Sequence, residues 1–122
     1  MRGQDEILDR LFRAIEDEDI DAVGELYASD VEVWHNASGR SLERTRSLAV
    51  LRSFLDRVSE ARYELLERRH WDGGAVQRHV LHMQLNGVHH SIDACIVFAF
   101  DSGRITRVFE YVDGRSLAPL GR

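Results

Sequence analysis

A lone cysteine, Cys95, rules out an internal disulfide in this chain of 122 residues and fits a reducing compartment. Basic stripes are also missing. Sixteen basic residues face 21 acidic ones, for a formal net charge of −5, so nucleic-acid binding through phosphate neutralisation is not expected. No apolar run is long enough to span a bilayer, and the first residues alternate charge with apolar side chains rather than forming a secretory signal. A soluble, cytoplasmic protein with no membrane partner is the expectation. Repeats, linkers and low-complexity segments are absent too. What remains, 43% apolar and 30% charged, is the composition of a globular protein, and the length suits one domain over residues 1–122.

Helical periodicity comes first along the chain. Ile7, Leu8, Leu11, Phe12 and Ile15 recur at helix spacing and predict an amphipathic helix from about Gln4 to Asp17. The acidic cluster Glu16, Asp17, Glu18, Asp19 and Asp21 reads as a solvated face or a helix junction. Asp19 is a natural cap for a shorter helix whose apolar face is Ile20, Val23, Leu26 and Tyr27. Ala28-Ser29-Asp30 ends it, Val31 to Asn36 reads as a short strand, and Ala37-Ser38-Gly39-Arg40 as a loop. Leu48, Leu51, Phe54, Leu55 and Val58 predict a third helix beginning at about Glu43 or Thr45 and ending at Val58.

Beyond Val58 the pattern changes to strands: Ala61 to Trp71, Ala75 to Leu85, His89 to Phe100 and Gly103 to Asp113. Asp72-Gly73-Gly74, Asn86-Gly87 and Asp101-Ser102-Gly103 separate them, and Asn-Gly and Asp-Gly are strong hairpin signals. Helices gathered on one side of a four-stranded antiparallel meander make an α+β domain. The strand from His89 is apolar on both faces, with Ile92, Ala94, Ile96 and Phe98 on one and Cys95, Val97 and Ala99 on the other. Three helices cover one face only, so a homodimer packed through the sheet is expected.

The last strand carries a carboxylate, Glu110, in its middle. Strand alternation puts Glu110 with Thr106, Val108 and Val112, and Ile105, Arg107, Phe109 and Tyr111 on the other face. Glu110 is therefore either a solvated residue or a carboxylate aimed into an apolar hollow.

The run Leu26-Tyr27-Ala28-Ser29-Asp30-Val31-Glu32-Val33-Trp34-His35-Asn36, with the closing Gly103-Arg104-Ile105 and Glu110-Tyr111-Val112-Asp113, resembles the SnoaL-like branch of the nuclear transport factor 2-like superfamily. That group includes polyketide cyclases, ketosteroid isomerases and limonene-epoxide hydrolases. The resemblance covers nearly the whole chain. It implies a cystatin-like α+β fold, a cone-shaped curved antiparallel sheet wrapped by three N-terminal helices around a deep, mostly apolar pocket. It also implies a small apolar ligand of polyketide, terpenoid or steroid-like kind and no cofactor.

By the same resemblance, His35 falls where the isomerases keep a general-base Asp and the epoxide hydrolases a water-holding Asn. Glu110 falls where the hydrolases keep a catalytic Asp, and His79 where they place an Arg. Leu81 stands where their second Asp would be, and Val33 replaces their water-positioning Tyr. Leu11 and Ile96 stand near the isomerase oxyanion pair. Neither enzyme in its standard form is implied.

His35, Glu110 and His79 are the candidate catalytic residues, with Val33, Leu81, Met83, Ile92, Ala94, Ile96 and Val108 as the candidate substrate-binding wall. His79 shares a face with Gln77, Leu81 and Met83, and His35 with Val33 and Val31. Two imidazoles and a carboxylate among apolar walls suit proton transfer, since histidine titrates near neutrality. The expected arrangement has His35 as general base and Glu110 hydrogen-bonded to His79. Each also has a plainly structural reading: His35 satisfied by a backbone carbonyl, His79 a sheet-interior residue, Glu110 an exposed one. Trp34 and Trp71 read as core or interface, and Cys95 and Asp93 as outer-face residues. His79 and His82 point to opposite faces, as do His89 and His90, which leaves only His35, His79 and Glu110 as a two-His, one-carboxylate set. The resemblance implies a family that usually works without metal, so no functional metal is expected.

Two rival classes follow: an acid/base enzyme of isomerase, cyclase or dehydratase type, with an epoxide hydrolase variant beside it, or a non-catalytic ligand-binding or dimerisation module. A third reading has Met83, Phe98, Phe54 and Leu81 filling the cone. The tail Leu117-Ala118-Pro119-Leu120 is a candidate cover for its mouth.

Overall fold

The computed structural model describes residues 2–114; the tail from Leu117 to Leu120 lies outside them. Helix α1 spans Arg2–Glu16, α2 Ile20–Leu26 and α3 Arg44–Arg57. The strands are β1 Tyr27–His35, β2 Arg40–Leu42, β3 Ser59–Trp71, β4 Gly74–Leu85, β5 Val88–Asp101 and β6 Arg104–Val112. The Asp19 carboxylate accepts from the Ala22 amide at 3.1 Å, capping α2. Glu43 caps α3 by accepting from the Arg46 amide at 2.6 Å and the Thr45 amide at 3.3 Å. Among the described residues, no helix is long and apolar enough to cross a membrane.

One six-stranded sheet runs in the order β2-β1-β6-β5-β4-β3. The meander from β3 to β6 is antiparallel, and each of its three turns is a two-residue hairpin. Asn86 and Gly87 take φ of 54° and 79°, and Ser102 and Gly103 take 52° and 77°, matching the twist of flanking strands.

Three expectations are corrected. The sheet is mixed, because β1 pairs in parallel with β6; the α3 and meander segments between them supply the long crossover that parallel pairing needs. Tyr27 opens β1 instead of closing α2, since its backbone is already extended (φ −84°, ψ 141°) and it pairs with Ile105. The loop expected at Ala37 to Arg40 is a tight turn into β2. There Gly39 adopts φ 70° and its amide donates to the His35 carbonyl at 2.8 Å.

A fourth correction concerns β6. Ile105 is fully buried in the core, not on the outer face. Ala99 pairs with Arg107 and Phe100 with Ile105, so Thr106 is an extra residue, a β-bulge that reverses the alternation on its N-terminal side. The Thr106 hydroxyl donates to the Ala99 carbonyl at 3.2 Å. Further register shifts break β3 between Ser59 and Arg62 and between Leu65 and Glu67. Bulges bend strands and raise local twist, and this sheet is accordingly a curved, open cone.

Inside the curve, Leu8, Leu11, Phe12 and Ile15 of α1 and Leu55 of α3 pack on Val31, Ala75, Phe98, Ile105 and Val108. A smaller cluster of Val58, Leu81, Met83 and Ile92 closes the far end. The outer face stays partly apolar: Trp34 packs against Phe109 and Tyr111 at ring separations of 6.4 and 5.2 Å. Trp71 and Tyr111 are each 47% exposed.

Candidate functional site

The concave side of the sheet encloses a cavity of about 320 Å³. Leu11, Phe12 and Ile15 of α1 form one wall, Leu51 and Phe54 of α3 another, and Ile96, Phe98 and Val108 the floor. His35, His79 and Glu110 all line it, as do Val33, Leu81, Ile92 and Ala94. Phe54, Phe98 and Leu81, which could have filled the cone, line the hollow instead. Met83 does not reach it. That side chain is 1% exposed and packs in the far cluster with Val58 and Ile92.

Glu110 and His35 meet because β1 and β6 pair in parallel with His35 opposite Glu110. Their side chains are joined, His35 Nε2 to Glu110 Oε1, at 2.9 Å, and each is 28% exposed. The pair thus stands at the wetter end of the cavity. With the carboxylate accepting the Nε2 proton, a neutral His35 keeps its lone pair on Nδ1. The β1 end is held to β6 by the Asn36 side chain. The Asn36 amide nitrogen donates to the Val112 carbonyl at 3.1 Å, and the Asn36 Oδ1 accepts from the Val112 amide at 3.0 Å.

His79 does not bond Glu110, contrary to the expected pairing. His79 sits opposite Ala94, and Ile96 sits opposite Glu110, so β5 lies between the two residues. Two strand spacings separate their backbones by roughly 10 Å, a span that an apolar ligand can bridge. The partner of His79 is Gln77, whose Nε2 lies 2.9 Å from His79 Nδ1. Edge-on contacts from Phe12 at 5.2 Å and Tyr63 at 4.9 Å wedge the ring.

Burial pulls the His79 pKa down to about 4; the nearby Glu110 charge opposes this, and Arg68 adds to it. The ring is therefore neutral at pH 7. Two phenols missed by sequence reasoning, Tyr27 and Tyr63, also line the cavity. Both are pushed upward, chiefly by burial and then by Glu110, and stay protonated. Tyr63 was within reach of the sequence, being two residues from Ala61 on an alternating strand.

Behind His79 lies a polar chain that the sequence pattern did not disclose. Arg68 Nε donates to Gln77 Oε1 at 2.8 Å. Its Nη1 donates to Asp5 Oδ1 at 2.7 Å and Asp9 Oδ1 at 2.8 Å. The Arg68 guanidinium holds the Asp5 carboxyl below the usual carboxylate range. Arg68 faces inward because the bulge before Glu67 sets it opposite Gln77. On the outer face, His82 pairs with Glu64 at 2.8 Å and stacks on His89. Among the described residues, no group of three His, Cys, Asp or Glu is arranged to hold a metal ion.

No curated protein matches the chain. Solved structures with the same architecture are numerous. A SnoaL-like polyketide cyclase from Shewanella denitrificans superposes with a TM-score of 0.83 at 13% identity, covering 94% of this chain and 93% of the other. An LEH-like epoxide hydrolase from M. tuberculosis gives 0.78 at 19% identity, over 93% and 85%. A protein of ketosteroid isomerase-like fold from Catenulispora acidiphila, crystallised with trimethylamine, gives 0.82 at 15% identity, over 91% and 88%. At these identities the likeness is one of fold, the nuclear transport factor 2-like cone. The family profile for the SnoaL-like domain matches residues 8–108, from the buried face of α1 to the middle of β6. The chain belongs to the SnoaL-like domain family.

Proposed function

We propose that this chain, a single SnoaL-like domain over residues 1–122, is a small-molecule enzyme performing cofactor-independent general acid/base chemistry. The reaction is of isomerase, cyclase or dehydratase type, on a compact, largely apolar molecule of polyketide, terpenoid or steroid-like kind. The observation that carries the reading is the 2.9 Å pair of His35 and Glu110 at one end of a mostly apolar cavity. Its volume of about 320 Å³ falls at the small end of ligand sites.

In this mechanism His35 takes a proton from bound ligand through Nδ1. Glu110 holds the opposite nitrogen and stabilises the imidazolium that forms. The same ring returns the proton at another atom, or to a leaving hydroxyl. A well-placed group of this kind is worth about 10²–10⁴-fold in rate. By the resemblance, Leu81 and Val33 fall where the epoxide hydrolases keep polar groups, which favours proton transfer over epoxide opening.

Turnover of a panel of hydrophobic lactones, enones and epoxides by the wild type, His35→Ala and Glu110→Gln tests the proposal. Loss of rate with retained fold and ligand affinity supports it. Ligand binding without turnover in the wild type assigns the chain to the non-catalytic class instead, and turnover confined to epoxides assigns it to the hydrolase variant. The rest of the reading is a cytoplasmic homodimer packed through the outer sheet face, where Trp34 packs with Phe109 and Tyr111 and both of the latter are exposed.

A further inference from the structure

His79 lines the cavity yet makes no contact with the His35–Glu110 pair, and the proposed proton transfer leaves it without a task. Its protonation pattern can be worked out from the residues behind it. A guanidinium carries only donors, so the Gln77 oxygen is the atom that meets Arg68 Nε at 2.8 Å. The amide nitrogen is then the atom 2.9 Å from His79 Nδ1. An amide NH₂ donates and does not accept. Nδ1 must therefore present its lone pair, and the proton of the neutral ring sits on Nε2.

This order cannot invert by rotation of the amide, because Arg68 is itself fixed. Its Nη1 bonds both Asp5 and Asp9, and its side chain is only 9% exposed. Gln77 and His79 are each 1% exposed. Phe12 and Tyr63 hold the ring edge-on, so it cannot turn over. The Nδ1 side faces Gln77, which leaves the far end of the ring toward the cavity. Among the described residues, Nε2–H has no hydrogen-bond partner.

We infer that Asp5, Asp9, Arg68 and Gln77 form a positioning chain that fixes His79 as an Nε2–H donor. The ligand would accordingly carry a carbonyl or enolate oxygen that accepts from it. This deepens the proposed function and rests on it only in taking the cavity as the ligand site. His79 and the His35–Glu110 pair then divide the labour: one end binds oxygen, and the other moves a proton. A donor preset toward developing negative charge needs no reorganisation at the moment of reaction. An unmet donor in an apolar site also rejects a ligand that lacks the oxygen.

The test needs no turnover, so its failure and the failure of the enzyme reading are separable. Nitrogen-15 NMR of the labelled wild-type protein is expected to give the His79 Nε2–H tautomer. In Gln77→Glu, a carboxylate accepts from both Arg68 and His79, and the tautomer is expected to invert to Nδ1–H. Affinity for a bicyclic α,β-unsaturated ketone, compared with its deoxygenated hydrocarbon analogue, should favour the ketone roughly three- to tenfold in the wild type. That preference should vanish in Gln77→Glu. Arg68→Met, which frees the amide to turn, should give mixed tautomers and an intermediate preference. An Nδ1–H tautomer in the wild type overturns the inference without any variant. So does an unchanged tautomer and ketone preference in a folded Gln77→Glu.

Discussion

His35 Nε2 and Glu110 Oε1 stand 2.9 Å apart on neighbouring parallel strands that pair at those two residues. The contact spans 75 positions of sequence, and it gives a carboxylate in mid-strand a partner inside the cone, the pair proposed above to move the proton. Because β1 meets β6 only through parallel pairing inside the sheet, the pair exists only in the assembled cone.

Replacing Glu110 with Gln keeps an oxygen that can accept from His35 but removes the charge that stabilises the imidazolium. The expected result is a fall in kcat of about 10²–10⁴-fold with KM nearly unchanged. Steady-state kinetics on an active substrate from the panel checks this, with circular dichroism as the folding control. A comparable fall for His35→Ala is expected, and the double variant should lose little more than either single one, because the two act as a unit.

Acid should weaken the fold through His79. Its folded pKa of about 4 lies below the ordinary value of 6.5, so between those values the unfolded chain binds the extra proton. Stability is therefore full above pH 6.5 and is lost as pH falls toward 4, by up to about 3 kcal/mol. Glu110, which favours protonation, and Arg68, which opposes it, are the charges that act on the ring. Urea titrations across that window should show the loss, and His79→Gln should flatten it. An equally steep curve in His79→Gln would assign the acid sensitivity to other groups.

The bulge at Thr106 makes a sharp prediction for its neighbour. Unbroken alternation puts Ile105 outside, where truncation to Ala would change stability by about 0.5 kcal/mol or less. As a fully buried core residue, Ile105→Ala should instead cost about 2–5 kcal/mol. Denaturant midpoints at constant m-value decide between the two.

Association through the outer face predicts that a charge placed there blocks it. Tyr111 is 47% exposed, and its ring lies tilted against Trp34 with the centroids 5.2 Å apart. Tyr111→Glu is expected to sediment as a monomer at concentrations where the wild type is a dimer, with its thermal midpoint little lowered. A monomeric wild type would remove the dimer from the proposal.

Much of this architecture is written in short-range chemistry. The apolar stripe of Leu8, Leu11, Phe12 and Ile15 marks one helix face. Asn86-Gly87 and Ser102-Gly103 supply the positive φ that tight hairpins demand. Period-two alternation sets His79, Gln77 and Leu81 on the concave side, all of them buried. These features depend on residues a few positions apart, so the sequence alone determined the α1 stripe, the hairpins and the inward set of β4.

Tertiary structure decided the rest, because it turns on register between distant segments. The parallel pairing of β1 with β6 selected His35 over His79 as the partner of Glu110. One inserted residue at Thr106 moved Ile105 into the core, and another before Glu67 swung Arg68 inward to Gln77. Alternation counts residues along one strand and is blind to a bulge, which shifts every later side chain to the opposite face. Which polar groups meet inside the cone is fixed by strand neighbours and curvature, quantities that no single stretch of sequence contains.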